Sequence, residues 1–222
     1  GYALGLAFDG DADRCLAVDE NGGLIDGDQI MAVCAEYLTA QGKLQSEGFV
    51  ATVMSNLGLH KFCEENHLKL LCAAVGDRNV LELMQKESMV LGGEQSGHII
   101  FLEHMTTGDG QLAALQFLSI LGQSGKKASE LAGQITHYPQ LLQNVKVGSN
   151  EEKTAILNSA ELSMIVAREE ERLTGHGRIL LRASGTEPLI RVMVEADTQD
   201  LAELVVKTLV QAVENIQKIL NK

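Results

Sequence analysis

The strongest constraint on this chain is a rhythm. Short apolar runs alternate with stretches of helical periodicity from about residue 27 to residue 132. Val50–Met54, Leu68–Val75, Met89–Leu91 and His98–Leu102 read as strands. Between and around them, Asp28–Thr39, Leu57–Asn66, Asp77–Glu87 and Gly110–Leu121 carry apolar residues at helical spacing. Strands and helices in that order call for βαβ units and a parallel or mixed sheet. The fold class expected is therefore α/β over this span.

Ahead of it, Leu4–Phe8 and Cys15–Val18 read as strands flanking an acidic loop, followed by an Asn-Gly-Gly turn. The opening Gly-Tyr-Ala-Leu-Gly-Leu-Ala-Phe reads as a strand already under way, so a piece of a longer protein is expected. Behind the α/β span the pattern changes. Residues 133–150 are expected to form a linker, and residues 151–222 a smaller α+β domain. That domain reads as helix Ala160–Arg172, strands Arg178–Arg182 and Leu189–Glu195, and a final amphipathic helix over Gln199–Ile219. Its expected buried face is Leu201, Leu204, Val205, Leu209, Val213 and Ile216.

Composition narrows the function. Thirty acidic residues against 18 basic ones give a net charge of −12, which argues against nucleic acid as a partner. No apolar run approaches the ~18 residues of a membrane span, so no membrane partner is expected. Cys15, Cys34, Cys63 and Cys72 form no CxxC pair and are expected as free thiols in a reducing cytoplasm.

Three loops carry chemistry. Asp9-Gly-Asp-Ala-Asp-Arg14 places carboxylates at alternate positions. Crowding such charges costs about 4 kcal/mol per pair at 4 Å and an effective dielectric of 20, a cost that a divalent cation removes. The all-oxygen set of Asp9, Asp11 and Asp13 suits Mg²⁺ or Ca²⁺ rather than zinc. Arg14 is suited to a phosphate oxygen beside the metal. An EF-hand shares the acidic spacing, but Arg14 stands where its glycine is required and strands flank the loop.

Gly92-Gly-Glu-Gln-Ser-Gly-His98 lies between two strands, where α/β sheets place ligands. Glu94, Gln95, Ser96 and His98 offer acceptors and donors to sugar hydroxyls. A plain polar hairpin is the alternative for this loop. Arg182-Ala-Ser-Gly-Thr-Glu-Pro188 follows a strand. Arg182, Ser184, Gly185 and Thr186 offer a guanidinium, hydroxyls and backbone N–H groups to a phosphate, with Arg191 nearby. A simple turn is the alternative there.

In that order, DGDADR, GGEQSGH and RASGTEP resemble the α-D-phosphohexomutase family. Met54–Leu59, Val75–Arg78 and Thr107–Gly110 add to the match, which covers essentially the whole chain. The resemblance implies that residues 1–26 end a second domain, 27–132 form a third and 151–222 a fourth. It implies an intramolecular phosphotransferase of the isomerase class. Asp9, Asp11 and Asp13 would hold Mg²⁺. Glu94 and Ser96 would bind sugar hydroxyls, and Arg182, Ser184, Gly185 and Thr186 the non-reacting phosphate of a phosphosugar. Gln95, where other subfamilies often carry Met, tilts the expected substrate towards an amino sugar. The family's phosphoserine loop has no counterpart here, so N-terminal domains of the same enzyme are expected partners, with a homo-oligomer possible. Asn79 stands where Tyr is usual in the expected subfamily. A mutase acting on hexose phosphates and a non-catalytic phosphosugar-binding module stay open as alternatives. A phosphatase with an Asp-x-Asp nucleophile fits less well, because its downstream Lys is not well placed.

Overall fold

The computed structural model describes residues 1–185 and 187–220. The chain divides into two compact units, Gly1–Thr136 and His137–Lys222.

The first unit holds two sheets. Strands β1 (Leu4–Phe8), β2 (Cys15–Asp19) and β3 (Leu24–Ile25) form an antiparallel sheet in that order. Phe8 pairs with Cys15, so the acidic loop is the turn of the β1–β2 hairpin. Helix α1 (Gly27–Ala40) follows, started by a capping box. The Asp26 carboxylate accepts from the Gln29 N–H, and the Gln29 amide oxygen accepts from the Asp26 N–H. Next come β4 (Gly48–Thr52), α2 (Leu57–Glu65), β5 (Lys69–Ala73), α3 (Asp77–Glu87), β6 (Leu91–Gly93) and β7 (Ile99–Phe101). The second sheet has the order β5-β4-β6-β7. The first three strands are parallel and β7 runs antiparallel to β6, so the sheet is mixed. β4 is buried along its whole length, as its uninterrupted apolar sequence requires of a central strand. α4 (Gly110–Ser124) and α5 (Ala128–Ala132) complete the unit.

Several expectations shift. Residues 1–26 contribute Cys15, Ala17 and Ile25 to the first unit's core, which leaves their expected place at the end of a preceding domain untouched. The strand expected at Met89–Leu91 begins instead at Leu91. Ser88 ends α3 in the left-handed conformation, and the Met89 N–H still bonds back to the Met84 carbonyl. β3 and α5 are too short to carry a periodic signal.

The second unit contains β8 (Gln140–Lys146), α6 (Asn150–Leu157), α7 (Ala160–Arg172), β9 (Gly177–Ala183), β10 (Leu189–Ala196) and α8 (Gln199–Leu220). Its antiparallel sheet has the order β8-β10-β9, with the last helix packed on it. Residues 140–146 therefore are not linker. They form an edge strand, half exposed, whose weak apolar alternation reflects having only one strand neighbour. α8 buries Ala202, Val205, Val206, Leu209, Ala212, Val213 and Ile216, while Leu204 is exposed. The buried stripe is thus rotated away from Leu204 and takes in Ala202, Val206 and Ala212 instead.

All four cysteines are free, three of them buried. Burial pushes the Cys34 thiol up to about 12. Burial pushes the Cys63 thiol up to about 12 as well, so both stay protonated at neutral pH. Among the described residues, no helix is long and apolar enough to cross a membrane.

Gly97 shows how tightly the first unit's loops meet. It has φ +93°, and a Cβ there would lie 2.3 Å from the Cys15 carbonyl oxygen. Gly97→Ala should therefore destabilise the chain by at least about 2 kcal/mol in urea denaturation. Gly10→Ala, where a Cβ would meet nothing within 4 Å, is the control, and its effect should stay within about 0.5 kcal/mol.

Candidate functional site

The hairpin turn after β1 brings Asp9, Asp11 and Asp13 together. Each offers a carboxylate oxygen, and these atoms lie within 4.8 Å of one another. Oxygens sharing one Mg²⁺ at about 2.1 Å stand at most about 4.2 Å apart, so small side-chain rotations suffice for a common ion. The turn is held from below. Gly110 donates its N–H to the Ala12 carbonyl at 3.0 Å, and Cys15 donates to the Gly97 carbonyl at 3.1 Å. Arg14 and His98 form an isolated antiparallel bridge. Ala12 adopts φ 59°, an uncommon conformation for a residue with a Cβ, which these ties maintain.

Electrostatics in the turn follow from three carboxylates without a cation. Burial pushes Asp9 up. The Arg14 N–H, hydrogen bonds with Asp13 and Asp11 and the Arg14 charge outweigh it and leave Asp9 below the ordinary carboxylate range. Asp13 moves the other way, raised by burial and by repulsion from Asp11 and Asp9 against the attraction of His98. Asp13 thus keeps its proton to a higher pH than Asp9. The Arg14 Nε lies 3.9 Å from Asp9 and 3.8 Å from Asp13, with the side chain half exposed. At that range the guanidinium remains available to another anion.

The second loop sits against the same turn. Glu94 is half-buried, and each of its oxygens has a partner. Oε1 accepts from the Gly76 N–H at 2.9 Å, and Oε2 accepts from the Ser96 hydroxyl at 3.2 Å. Gly76 caps α3 with φ 126°, and Asn79 braces it by donating to the Val75 carbonyl. Ser96 is exposed. Glu94 and Ser96 are thus an oriented polar pair open to solvent.

Two other residues of this loop act inwardly. Gln95 donates to the Asp26 carboxylate at 3.2 Å, and its carbonyl accepts from the Gly27 N–H, so it clamps the loop to the start of α1. His98, expected among the sugar contacts, is 2% exposed. Its Nε2 accepts from the Gly108 N–H at 3.2 Å and stands 3.6 Å from Asp13. It supports the acidic turn and presents no open edge to a sugar. The loop's glycines likewise serve packing: a Cβ on Gly92 or Gly93 would meet Met84 Sδ or the His98 carbonyl at 2.5 Å.

In the second unit, residues 184–188 join β9 to β10. Arg182 and Arg191 are directly opposed across these strands, and Asn144 of β8 stands opposite Arg191 on the other side. Opposed like charges are ordinarily destabilising by roughly 0.2–1 kcal/mol. Two rows further along the same face, Glu195 accepts from Arg178 and Gln140, so that row is compensated. The row beside the loop contains no carboxylate. Burial and the charge of Arg191 both push Arg182 below the usual guanidinium range. Arg191 Nε is buried with no acceptor among the described residues. Ser184 is buried, its N–H bonded to the Leu189 carbonyl, while Gly185 is exposed. Thr186 lies outside the described residues.

The structure adds residues that the sequence did not single out. Asp26, Gly76 and Gly108 each hold a loop side chain. Lys153 of α6, buried beneath the Ser184 and Glu187 carbonyls, bears no motif signal at all.

The family description "Phosphoglucomutase/phosphomannomutase, alpha/beta/alpha domain III" matches residues 26–138, and the C-terminal domain of the same family matches residues 142–212. The phosphoglucosamine mutase of Ligilactobacillus salivarius is 50% identical over 96% of the chain, and that of Lactococcus lactis subsp. cremoris is 52% identical over the same share. The chain spans about half the length of these relatives, 47% in each case. The fold is shared with an Aspergillus fumigatus N-acetylphosphoglucosamine mutase, with a TM-score of 0.79 at 22% identity. That match covers 96% of this chain and 48% of the other. The same fungal enzyme in complex with GlcNAc-6P and magnesium gives a TM-score of 0.73 at 22% identity over 96% of this chain and 48% of that one.

The acidic turn can be tested alone. Mg²⁺ or Mn²⁺ should bind the chain with an affinity that falls as pH is lowered from about 7 to about 5, because protons compete for the raised Asp13 carboxyl. Asp11→Asn should weaken that affinity at least about tenfold at pH near 7. Calorimetry at several pH values reads both effects.

Proposed function

The chain belongs to the phosphoglucomutase/phosphomannomutase family, and on that premise we propose that it supplies the metal, sugar and phosphate loops of a phosphoglucosamine mutase. The observation that carries this reading is 50–52% identity to phosphoglucosamine mutases across 96% of the chain. The reaction proposed is interconversion of glucosamine 6-phosphate and glucosamine 1-phosphate. It would serve amino-sugar nucleotide and cell-wall precursor synthesis in the cytoplasm, where free buried cysteines are at home.

A phosphoserine donates its phosphoryl group to the free hydroxyl of the sugar phosphate, which becomes a bisphosphate. The bisphosphate turns over, its other phosphoryl group returns to the serine, and the isomeric monophosphate leaves. Neither Ser96, bound to Glu94, nor the buried Ser184 is placed as that nucleophile. The phosphoserine is assigned to sequence outside the matched half, so the chain alone should bind without turning over.

Each side chain has a role that its surroundings support. Asp9, Asp11 and Asp13 would hold Mg²⁺, which supplies electrostatic stabilisation to a phosphoryl group in transfer. Arg14, held only at long range by two of these carboxylates, contacts a phosphoryl oxygen. Glu94, oriented by Gly76 and Ser96, accepts from sugar hydroxyls. Arg182 and Arg191 bind the non-reacting phosphate, whose two negative charges offset their mutual repulsion. Gly185 has no positive φ, and a Cβ there would meet nothing within 4 Å. Packing among the described residues therefore does not call for a glycine at this position, which leaves room for close approach of a ligand.

Gln95 is engaged with Asp26, so preference for the amino sugar rests on the relatives rather than on a free amide. Titration of the chain with glucosamine 1-phosphate, followed by amide NMR, should give saturable shifts in residues 182–191. Arg182→Ala should weaken binding at least about tenfold. Equal affinity for glucose 1-phosphate would remove the amino-sugar assignment, and absence of shifts at tens of millimolar sugar would remove the binding role of the isolated chain.

A further inference from the structure

Lys153 is the fourth residue of α6 and is 7% exposed. Its ammonium donates to the Ser184 carbonyl at 2.7 Å and to the Glu187 carbonyl at 3.3 Å. No carboxylate pairs with it among the described residues. This is an unfavourable position for a cation in two respects. Burial removes its hydration, and the first turns of a helix carry partial positive charge. A lysine with only a packing role would extend its head to water. Glu151 and Glu152 already satisfy the charge preference of this helix start, and Ser149 caps it by accepting from the Glu152 N–H. Nothing in α6 itself calls for Lys153.

The loop does. In a trans peptide the carbonyl and the following N–H point in opposite directions. With the Ser184 carbonyl drawn inward to Lys153, the Gly185 N–H faces outward, on the exposed side of the turn. The Glu187 carbonyl is also drawn inward, where it accepts from the Leu189 N–H as well. The residue after it is Pro188, so no second N–H is displaced by this arrangement. Lys153 thus turns one donor towards solvent and places a full positive charge behind it. Arg182 and Arg191 stand beside the same loop on the sheet.

We infer that Lys153 is a positioning residue of the phosphate loop, holding the Gly185 N–H outward for an anionic phosphoryl group and supplying buried positive charge behind it. This inference rests on the reading of residues 182–188 as a phosphate site.

The full chain can decide it, with inorganic phosphate and glucosamine 1-phosphate as probes and the Gly185 amide signal as readout. Lys153→Met removes both hydrogen bonds and the charge, Lys153→Gln keeps a neutral donor, and Arg182→Ala reports on the phosphate site independently. Phosphate affinity should fall at least about tenfold in Lys153→Met, with the Gly185 amide displaced before any ligand is added, and by roughly three- to tenfold in Lys153→Gln. Thermal unfolding of the same variants separates this from loss of structure, since an apolar replacement of a buried unpaired cation need not lower stability. Binding within about twofold of the unaltered chain, with the Gly185 amide unmoved, would overturn the inference while leaving the phosphate site in place. If Lys153→Met does not fold, the same limit applied to Lys153→Gln decides. Should the unaltered chain show no response to either probe, or Arg182→Ala bind as well as it does, the phosphate site itself falls and this role with it.

Discussion

Three carboxylates whose oxygens converge within 4.8 Å repel one another, and the first unit is arranged to hold them there. The restraint comes from backbone, which does not titrate. Gly110 donates its N–H to the Ala12 carbonyl, and the Gly97 carbonyl accepts from the Cys15 N–H on the other side of the turn. The same ties place the Glu94–Ser96 pair, because Gly97 ends its loop and Gly27 lies too close to the Glu94 carbonyl for any side chain. A Cβ at Gly110 would sit 2.5 Å from the Arg14 carbonyl oxygen, so the start of α4 is fitted against the turn as well. The acidic turn and the Gly92–His98 loop are thus one construction, in which moving either displaces the other.

The second unit solves the opposite problem. A chain with a net charge of −12 must collect cations locally to receive a phosphate. On the reading proposed above it would do so by opposing two arginines across a strand pair and burying a lysine behind the turn that joins them. On that reading the repulsion between Arg182 and Arg191 would be offset when a dianion is bound. The Glu195–Arg178 pair on the same sheet face shows that the fold can neutralise an arginine elsewhere in the sheet.

Much of the fold was legible because periodicity is local. α3 and α7 run over the residues their patterns indicate, and β4, β5, β9 and β10 lie within a residue or two of theirs. The failures have physical causes. β8 is an edge strand with one partner, so its apolar alternation is weak, and it reads as connection. α6 is short and carries few apolar residues, its position being fixed by the Ser149 cap and by Ile156 in the core. The buried face of α8 excludes Leu204, a choice made by the sheet beneath it rather than by hydrophobicity along the helix.

The candidate site divides in the same way. Asp9, Asp11 and Asp13, Glu94 with Ser96, and Arg182 with Ser184 were evident from the sequence, because crowded charge and glycine-flanked polar loops are unusual in their own right. Their meaning within each unit came only from contacts between residues far apart in the chain. Gln95 and His98 look like ligand contacts in a polar loop, yet one is bound to Asp26 and the other lies buried against Asp13 and Gly108. Lys153 looks like any surface lysine of a short helix until the fold buries it under a loop 31 residues away. Sequence alone determined which chemical groups are available, since residue type and local period are written in the chain. Tertiary structure decided which of them face a ligand and which hold the others in place, because burial and direction are properties of packing that no local pattern encodes.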